Sequence, residues 1–301
     1  MIAPMGDRVL LPNWLVIGAM KAGTTSLYND FLAHPDVLLA KKKELAILAN
    51  EMSEDWCVEQ YEKWYPSIVN CSIVGEFSTQ YTKRPTYEGV AERARSVLGG
   101  KVRIVYCIRE PVARIVSQFQ HESPHGQTLS DFSEAIRQDR RLIDFSRYYF
   151  QIEPWVKSFG HENIRVLVFE KYLEDRGAAT QEICSFLGVR PVRLSSLVHE
   201  GANQSAGRPV ITGYWAKLAR SRLYRYWLRD KIPSRIRERA VRRVFQRAPY
   251  AKPVVTDQDS QFIMDSISSD TRKFLQLLSV KTYRDLLASD QTALRQIKLS
   301  C

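Results

Sequence analysis

Apolar residues fall in short blocks along the first two thirds of this 301-residue chain, and their spacing changes from block to block. Trp14 to Ala19 is a short apolar run containing one glycine. It leads through Lys21-Ala22-Gly23-Thr24-Thr25-Ser26 into a periodic stretch, Leu27 to Leu32, so the pattern predicts strand, turn and helix. Val102 to Ile108 is a second run, which passes through Arg109-Glu110-Pro111 into the helical pattern of Val112 to His121. A third, Ile164 to Phe169, lies between amphipathic stretches at Tyr148 to Phe159 and Ala178 to Leu187. Buried strands alternating with helices predict an α/β protein with a central parallel sheet flanked by helices. The last third reads as helical and basic to Arg247, then as a connection near Pro249 to Pro253, then as an amphipathic helix through Leu287. This is a helical C-terminal elaboration. Without repeats or a long linker, residues 1–301 read as one domain.

Composition narrows the class. Hydrophobic residues make up 45% of the chain, enough for a full core, yet no stretch reaches the roughly 18 apolar residues of a membrane span. Met1 to Pro12 lacks a charged segment followed by an apolar one, so no secretory leader is expected and the predicted location is cytoplasmic. Cys57, Cys71, Cys107, Cys184 and Cys301 form no C-x-x-C pair, which predicts reduced thiols and no structural zinc; Cys107 sits in an apolar run and reads as core. The net charge of +11 is concentrated between Tyr214 and Arg247, where twelve Lys or Arg face only Asp230 and Glu238. Such a stripe suits an anionic partner or a solvated helical face.

The turn Gly18-Ala-Met-Lys21-Ala-Gly23-Thr24-Thr25-Ser26 places glycine, lysine and three hydroxyls where a strand becomes a helix. Free backbone N–H groups and the positive end of the helix dipole meet there, and anions bind at such points. Gly23 admits a close approach, Lys21 adds a full charge, and the hydroxyls add donors. In the Walker A pattern the lysine directly follows the second glycine; here it comes two residues before Gly23, which counts against an ATPase or GTPase. A second element, Arg109-Glu-Pro111-Val-Ala-Arg114-Ile-Val-Ser117, ends a strand in arginine and sets Ser117 two helical turns on. Arg109 and Ser117 can grip a second phosphate along the same rim of the sheet, while Arg114 reads as a surface or structural partner. One nucleotide with two separated anionic groups explains both sites.

These stretches, LVIGAMKAGTTSLYNDFLAHPDV with KKKE after it, VGEFSTQY, VYCIREPVARIVSQFQHE, YYFQIEPWVKSFGHENIRVLVFEKYLED and a late Gly207-Arg208, resemble the superfamily of sulfotransferases that use 3′-phosphoadenosine 5′-phosphosulfate (PAPS). The resemblance is to the heparan-sulfate-type branch and its bacterial relatives. It implies a P-loop-like sulfotransferase fold, with the 5′-phosphosulfate held by Lys21, Ala22, Gly23, Thr24, Thr25 and Ser26 and the 3′-phosphate by Arg109 and Ser117. Ser205, Gly207 and Arg208 look like the family's late loop over the nucleotide, although Ala206 stands where relatives usually carry lysine. The resemblance also implies Glu44 as catalytic base, Lys21 at the leaving oxygen in place of any metal, and His121, four residues after Ser117 on the same helix face, as a competing base. Glu76, Ser78 and Tyr81 fall in the family's substrate-side element and are possible acceptor contacts. With no leader or membrane anchor expected, the acceptor is read as a small molecule, such as a natural product, or a sugar, and no nucleic acid partner is expected. Two other classes stay open at this point. A P-loop-type small-molecule kinase shares the strand, turn and helix; a nucleic-acid or membrane module would use residues 214–247, where Tyr214, Trp215, Tyr224, Tyr226 and Trp227 interleave with arginines.

Overall fold

The computed structural model describes residues 10–65, 71–123, 131–191 and 253–278. The basic stripe at 214–247 and the late-loop residues Ser205, Gly207 and Arg208 lie outside them. Five strands, β1 (Trp14–Gly18), β2 (Val37–Leu39), β3 (Ile73–Phe77), β4 (Arg103–Ile108) and β5 (Ile164–Val168), form one sheet in the order β2-β3-β1-β4-β5. Every pairing is parallel, as the apolar runs predict. The central strand β1 is buried at all five positions, as a strand covered on both faces should be. Its Trp14 packs edge-on against Phe31 and Phe77, each at 5.0 Å, and so joins the sheet to its first helix.

Ten helices are described: α1 (Thr24–Phe31), α2 (Glu54–Trp64), α3 (Val90–Leu98), α4 (Pro111–Glu122), α5 (Phe132–Gln138), α6 (Arg140–Asp144), α7 (Tyr148–Phe159), α8 (Phe169–Glu174), α9 (Arg176–Leu187) and α10 (Asp257–Leu277). Among the described residues no helix is long and apolar enough to cross a membrane. Helix α7 forms despite Pro154 in its interior. The proline cannot donate to the carbonyl of Phe150, and Nη1 of Arg84 does so instead at 2.8 Å. A satellite apolar cluster of Ile115, Phe119, Phe132, Ala135, Ile136, Leu142 and Ile263 packs α4 against α5, α6 and α10. Asp259 adds a polar tie, since its carboxylate accepts from Ser133 Oγ at 2.8 Å and from Arg137 Nη1 at 2.9 Å.

From β1 the chain crosses to β2 on one side, and from β4 it crosses to β5 on the other. Because β1 and β4 are neighbours, a crevice opens beyond their carboxyl ends, where open parallel sheets take their ligands. Both sequence motifs leave their strands at this point.

Candidate active site

The turn after β1 is shaped by main-chain conformation. Lys21 and Gly23 are both left-handed, with φ of 69° and 82°, and Gly23 is the N-cap of α1 without offering a side-chain cap. A Cβ at position 23 would run into the ring of Phe169. The first N–H groups of α1 have no acceptor within the helix, so the positive end of its dipole stands at the turn.

Pro111 opens α4 and the Glu110 carboxylate caps it, accepting from the N–H of Val112 at 2.8 Å and of Ala113 at 2.5 Å. Arg114 is structural, but it is wholly buried rather than on the surface. Its guanidinium donates to Ser146 Oγ at 2.5 Å, Gln118 Oε1 at 2.8 Å and the Leu142 carbonyl at 2.7 Å. Those bonds fix the rotation of α4 and turn Ser117 and His121, one helical turn apart, toward the crevice. Arg109 links the two motifs: its Nη1 donates to the Lys21 carbonyl at 3.3 Å and its guanidinium lies 5.0 Å from the centre of the Phe169 ring.

On the other side of β1, the chain between β2 and the 3₁₀ turn Ile47–Ala49 passes over the end of β3. Glu44 is left-handed at φ 63° and donates its N–H to the Phe77 carbonyl at 2.9 Å. Its carboxylate accepts from Thr79 N at 2.7 Å and Thr79 Oγ1 at 3.0 Å, and pairs with Lys43. The ion pair with Lys43 coexists with the ties to Thr79.

These elements enclose a cavity of about 590 Å³. Lys21, Gly23, Thr24, Thr25, Arg109, Ser117, Glu44 and His121 all line it. Ala22, 1% exposed, and Ser26, half-buried, are not on its wall. Glu76, Ser78 and Tyr81, offered by the sequence as acceptor contacts, are instead buried and stand behind the wall. Lys83, Thr79, Gln80 and Phe169 line the cavity without having been singled out in the sequence. Lys83 follows a 3₁₀ turn after β3, and no motif marks it. Burial lowers the pKa of its ammonium, against the opposing pull of Glu44 and Glu122. The one signal in the sequence for Phe169 is its place as the first residue after β5. Cys107 is a core residue of β4, where burial pushes its thiol up to about 12, far from a nucleophile's range.

An anionic group fits this cavity. Arg109 lies on the wall, and its buried Nε has no hydrogen-bond partner among the described residues. The nearest carboxylate oxygen, on Glu170, stands at 4.0 Å. A buried guanidinium donor left unmet is costly unless a ligand meets it.

Sheet order and turn geometry define a doubly wound α/β protein with a phosphate-loop-like turn at its switch point. The sulfotransferase domain family matches residues 11–205, and the chain belongs to that family. It is 24% identical over 226 residues to the bifunctional heparan sulfate N-deacetylase/N-sulfotransferase 4 of Mus musculus, covering 69% of this chain and 25% of that protein. It is 25% identical over 212 residues to the heparan sulfate glucosamine 3-O-sulfotransferase 3B1 of Mus musculus, covering 67% of this chain and 52% of that one. The chain thus spans a quarter to about half the length of these curated relatives. The crystal structure of a sulfotransferase from Alicyclobacillus acidocaldarius superimposes with a TM-score of 0.54 at 26% identity, over 64% of this chain and 88% of that one.

Proposed function

We propose that the chain transfers a sulfuryl group from PAPS to a hydroxyl or amine of a small-molecule or carbohydrate acceptor. The observation that carries this reading is the meeting of the Lys21–Thr25 turn, the Arg109–Ser117 element and Glu44 on one cavity wall. The nucleotide supplies an electrophilic sulfur and a phosphate leaving group. Lys21 and the hydroxyls of Thr24 and Thr25 hold the phosphosulfate end, with Ala22 and Ser26 contributing main chain and helix N-terminus. Arg109 and Ser117 hold the 3′-phosphate. Charge grows on the departing phosphate oxygen during transfer, and the Lys21 ammonium neutralises it, so positioning and electrostatics carry the reaction.

Glu44 takes the acceptor's proton as the new bond to sulfur forms and the bond from sulfur to the phosphate oxygen breaks. Its ties to Thr79 aim the carboxylate at the cavity, which is what general-base work requires. His121 and Lys83, on the same wall, orient the acceptor. Ser205, Gly207 and Arg208 complete the nucleotide side. A reducing cytoplasmic setting suits the free thiols of Cys57, Cys71 and Cys107.

Calorimetry with the product nucleotide, 3′-phosphoadenosine 5′-phosphate, tests the donor half of this reading, and labelled PAPS offered with a panel of hydroxyl and amine acceptors tests transfer. Tight binding of the product nucleotide that Lys21→Ala and Arg109→Ala both weaken supports it. Preferential binding of ATP with magnesium would instead indicate a kinase.

A further inference from the structure

Glu76 is the fourth residue of β3, in the middle of the protein and 2% exposed. Burial raises its pKa, and three hydroxyls oppose that rise. Its Oε1 accepts from Ser78 Oγ at 2.9 Å and from Tyr81 Oη at 2.5 Å, while its Oε2 accepts from Tyr61 Oη at 2.6 Å. A serine or tyrosine hydroxyl has a single proton to give. Once Ser78 and Tyr81 have given theirs to Glu76, their oxygens act toward every other neighbour only as acceptors. Each meets one backbone N–H: Ser78 Oγ accepts from Ala46 at 2.9 Å, and Tyr81 Oη accepts from Leu48 at 3.2 Å.

Both N–H groups belong to the segment that carries Glu44. That segment holds two of the three non-glycine residues with left-handed backbone among those described, Glu44 at φ 63° and Ala46 at φ 54°; the third is Lys21. Such conformations are unfavourable for residues with a Cβ and persist where surrounding contacts impose them. From this we infer that Glu76 is a positioning residue: by orienting the hydroxyls of Ser78 and Tyr81, it clamps the main chain of Ala46 and Leu48 and so sets where the Glu44 carboxylate meets the cavity. The inference rests on the reading of Glu44 as the base. A packing role alone would be served by an apolar side chain, without the penalty of burying a carboxyl.

The arrangement does not need a charge on Glu76. If Oε2 carries a proton, that end donates to Tyr61, and Oε1 still accepts from Ser78 and Tyr81. Glutamine reproduces this pattern, with its amide oxygen toward Ser78 and Tyr81 and its amide N–H toward Tyr61; leucine removes it.

Glu76→Gln, Glu76→Leu and Ser78→Ala are compared for kcat, acceptor KM, product-nucleotide Kd and melting temperature. We expect kcat to fall about tenfold or more in Glu76→Leu and Ser78→Ala, with nucleotide affinity within roughly twofold, and to stay within roughly threefold in Glu76→Gln. In a Glu44→Gln background the further loss from Ser78→Ala should shrink to near nothing, because both act through one carboxylate. Three results overturn the inference: unchanged kcat in Ser78→Ala, an undiminished loss in the Glu44→Gln background, or a Glu76→Gln enzyme as impaired as Glu76→Leu. Should Glu76→Leu fail to fold, Ser78→Ala and Glu76→Gln decide the matter. Full turnover by Glu44→Gln alone is a different failure, since it removes the base assignment whatever the Glu76 variants do.

Discussion

The turn at Gly18–Thr25 continues from the end of β1, the loop at residues 40–48 passes over the end of β3, and the two reach the same cavity but are held in different ways. The turn is shaped by its own backbone: two left-handed residues, Lys21 and Gly23, two positions apart, a glycine against Phe169, and the start of α1. The loop is shaped from a distance. Glu44 accepts from Thr79, while the N–H groups of Ala46 and Leu48 donate to Ser78 and Tyr81, residues 32 to 35 positions further along the chain. A turn whose shape is encoded locally should therefore respond to a change of charge or an added Cβ, whereas the loop should respond to single polar groups buried behind it.

The largest effect expected is from Lys21→Ala, which under the proposed function removes the cation at the leaving oxygen and should lower kcat on the order of 10³-fold in the labelled-PAPS assay. A loss confined to KM would show that Lys21 binds without stabilising the transition state. Next, Glu44→Gln should lower kcat about 10²-fold while product-nucleotide affinity by calorimetry stays unchanged, separating loop from turn. If nucleotide affinity fell as much as kcat, the two regions would not be independent. Arg109→Ala should weaken the product nucleotide about 10- to 100-fold, the range for charge-assisted hydrogen bonds to a phosphate.

Gly23→Ala probes the turn by shape alone. Its left-handed backbone and the nearby Phe169 ring predict a melting temperature lowered by the equivalent of about 1–2 kcal/mol, together with weaker nucleotide binding. Paired with Phe169→Ala, part of that loss should return, because the colliding ring is gone. The smallest effect lies away from both regions. Burial pushes the Asp259 carboxyl upward, but hydrogen bonds from Arg137, Ser133 and Thr256 outweigh it and hold the pKa at about 2, below the usual 3.8. Its ties between α10 and α5 thus contribute fully above pH 4 and are lost as the pH falls toward 2. Melting curves from pH 5 to pH 2 should decline less steeply in Asp259→Asn than in the parent chain, and that substitution should leave nucleotide affinity at neutral pH untouched.

Much of this could be read along the chain. The runs ending at Ala19, Ile108 and Phe169 became β1, β4 and β5, and the helices after Gly23 and Pro111 start where glycine and proline predict. Tyr148–Phe159 is helical over the expected residues, Pro154 notwithstanding. The missed strands were β2, only three residues long, and β3, whose run is broken by Gly75 and Glu76. Glycine is needed at position 75 because the Trp14 ring and Leu39 occupy the space a Cβ would take, a contact between three strands that periodicity does not encode. Lys83 was likewise invisible, since only the chain's path after β3 brings it to the cavity.

By itself, the sequence determined those features in which neighbouring residues act on one another: strand into glycine turn into helix, arginine before a proline-opened helix, and the parallel sheet that such alternation demands. The tertiary structure alone decided which side chains share the cavity and which stand behind it. It moved Glu76, Ser78 and Tyr81 from expected acceptor contacts to a buried hydrogen-bonded frame, and it brought Glu44 to the wall. The physical reason is range. Backbone conformation and helix capping are settled within a few residues, but a buried carboxyl finds its donors only when strands and helices distant in the chain have packed around it.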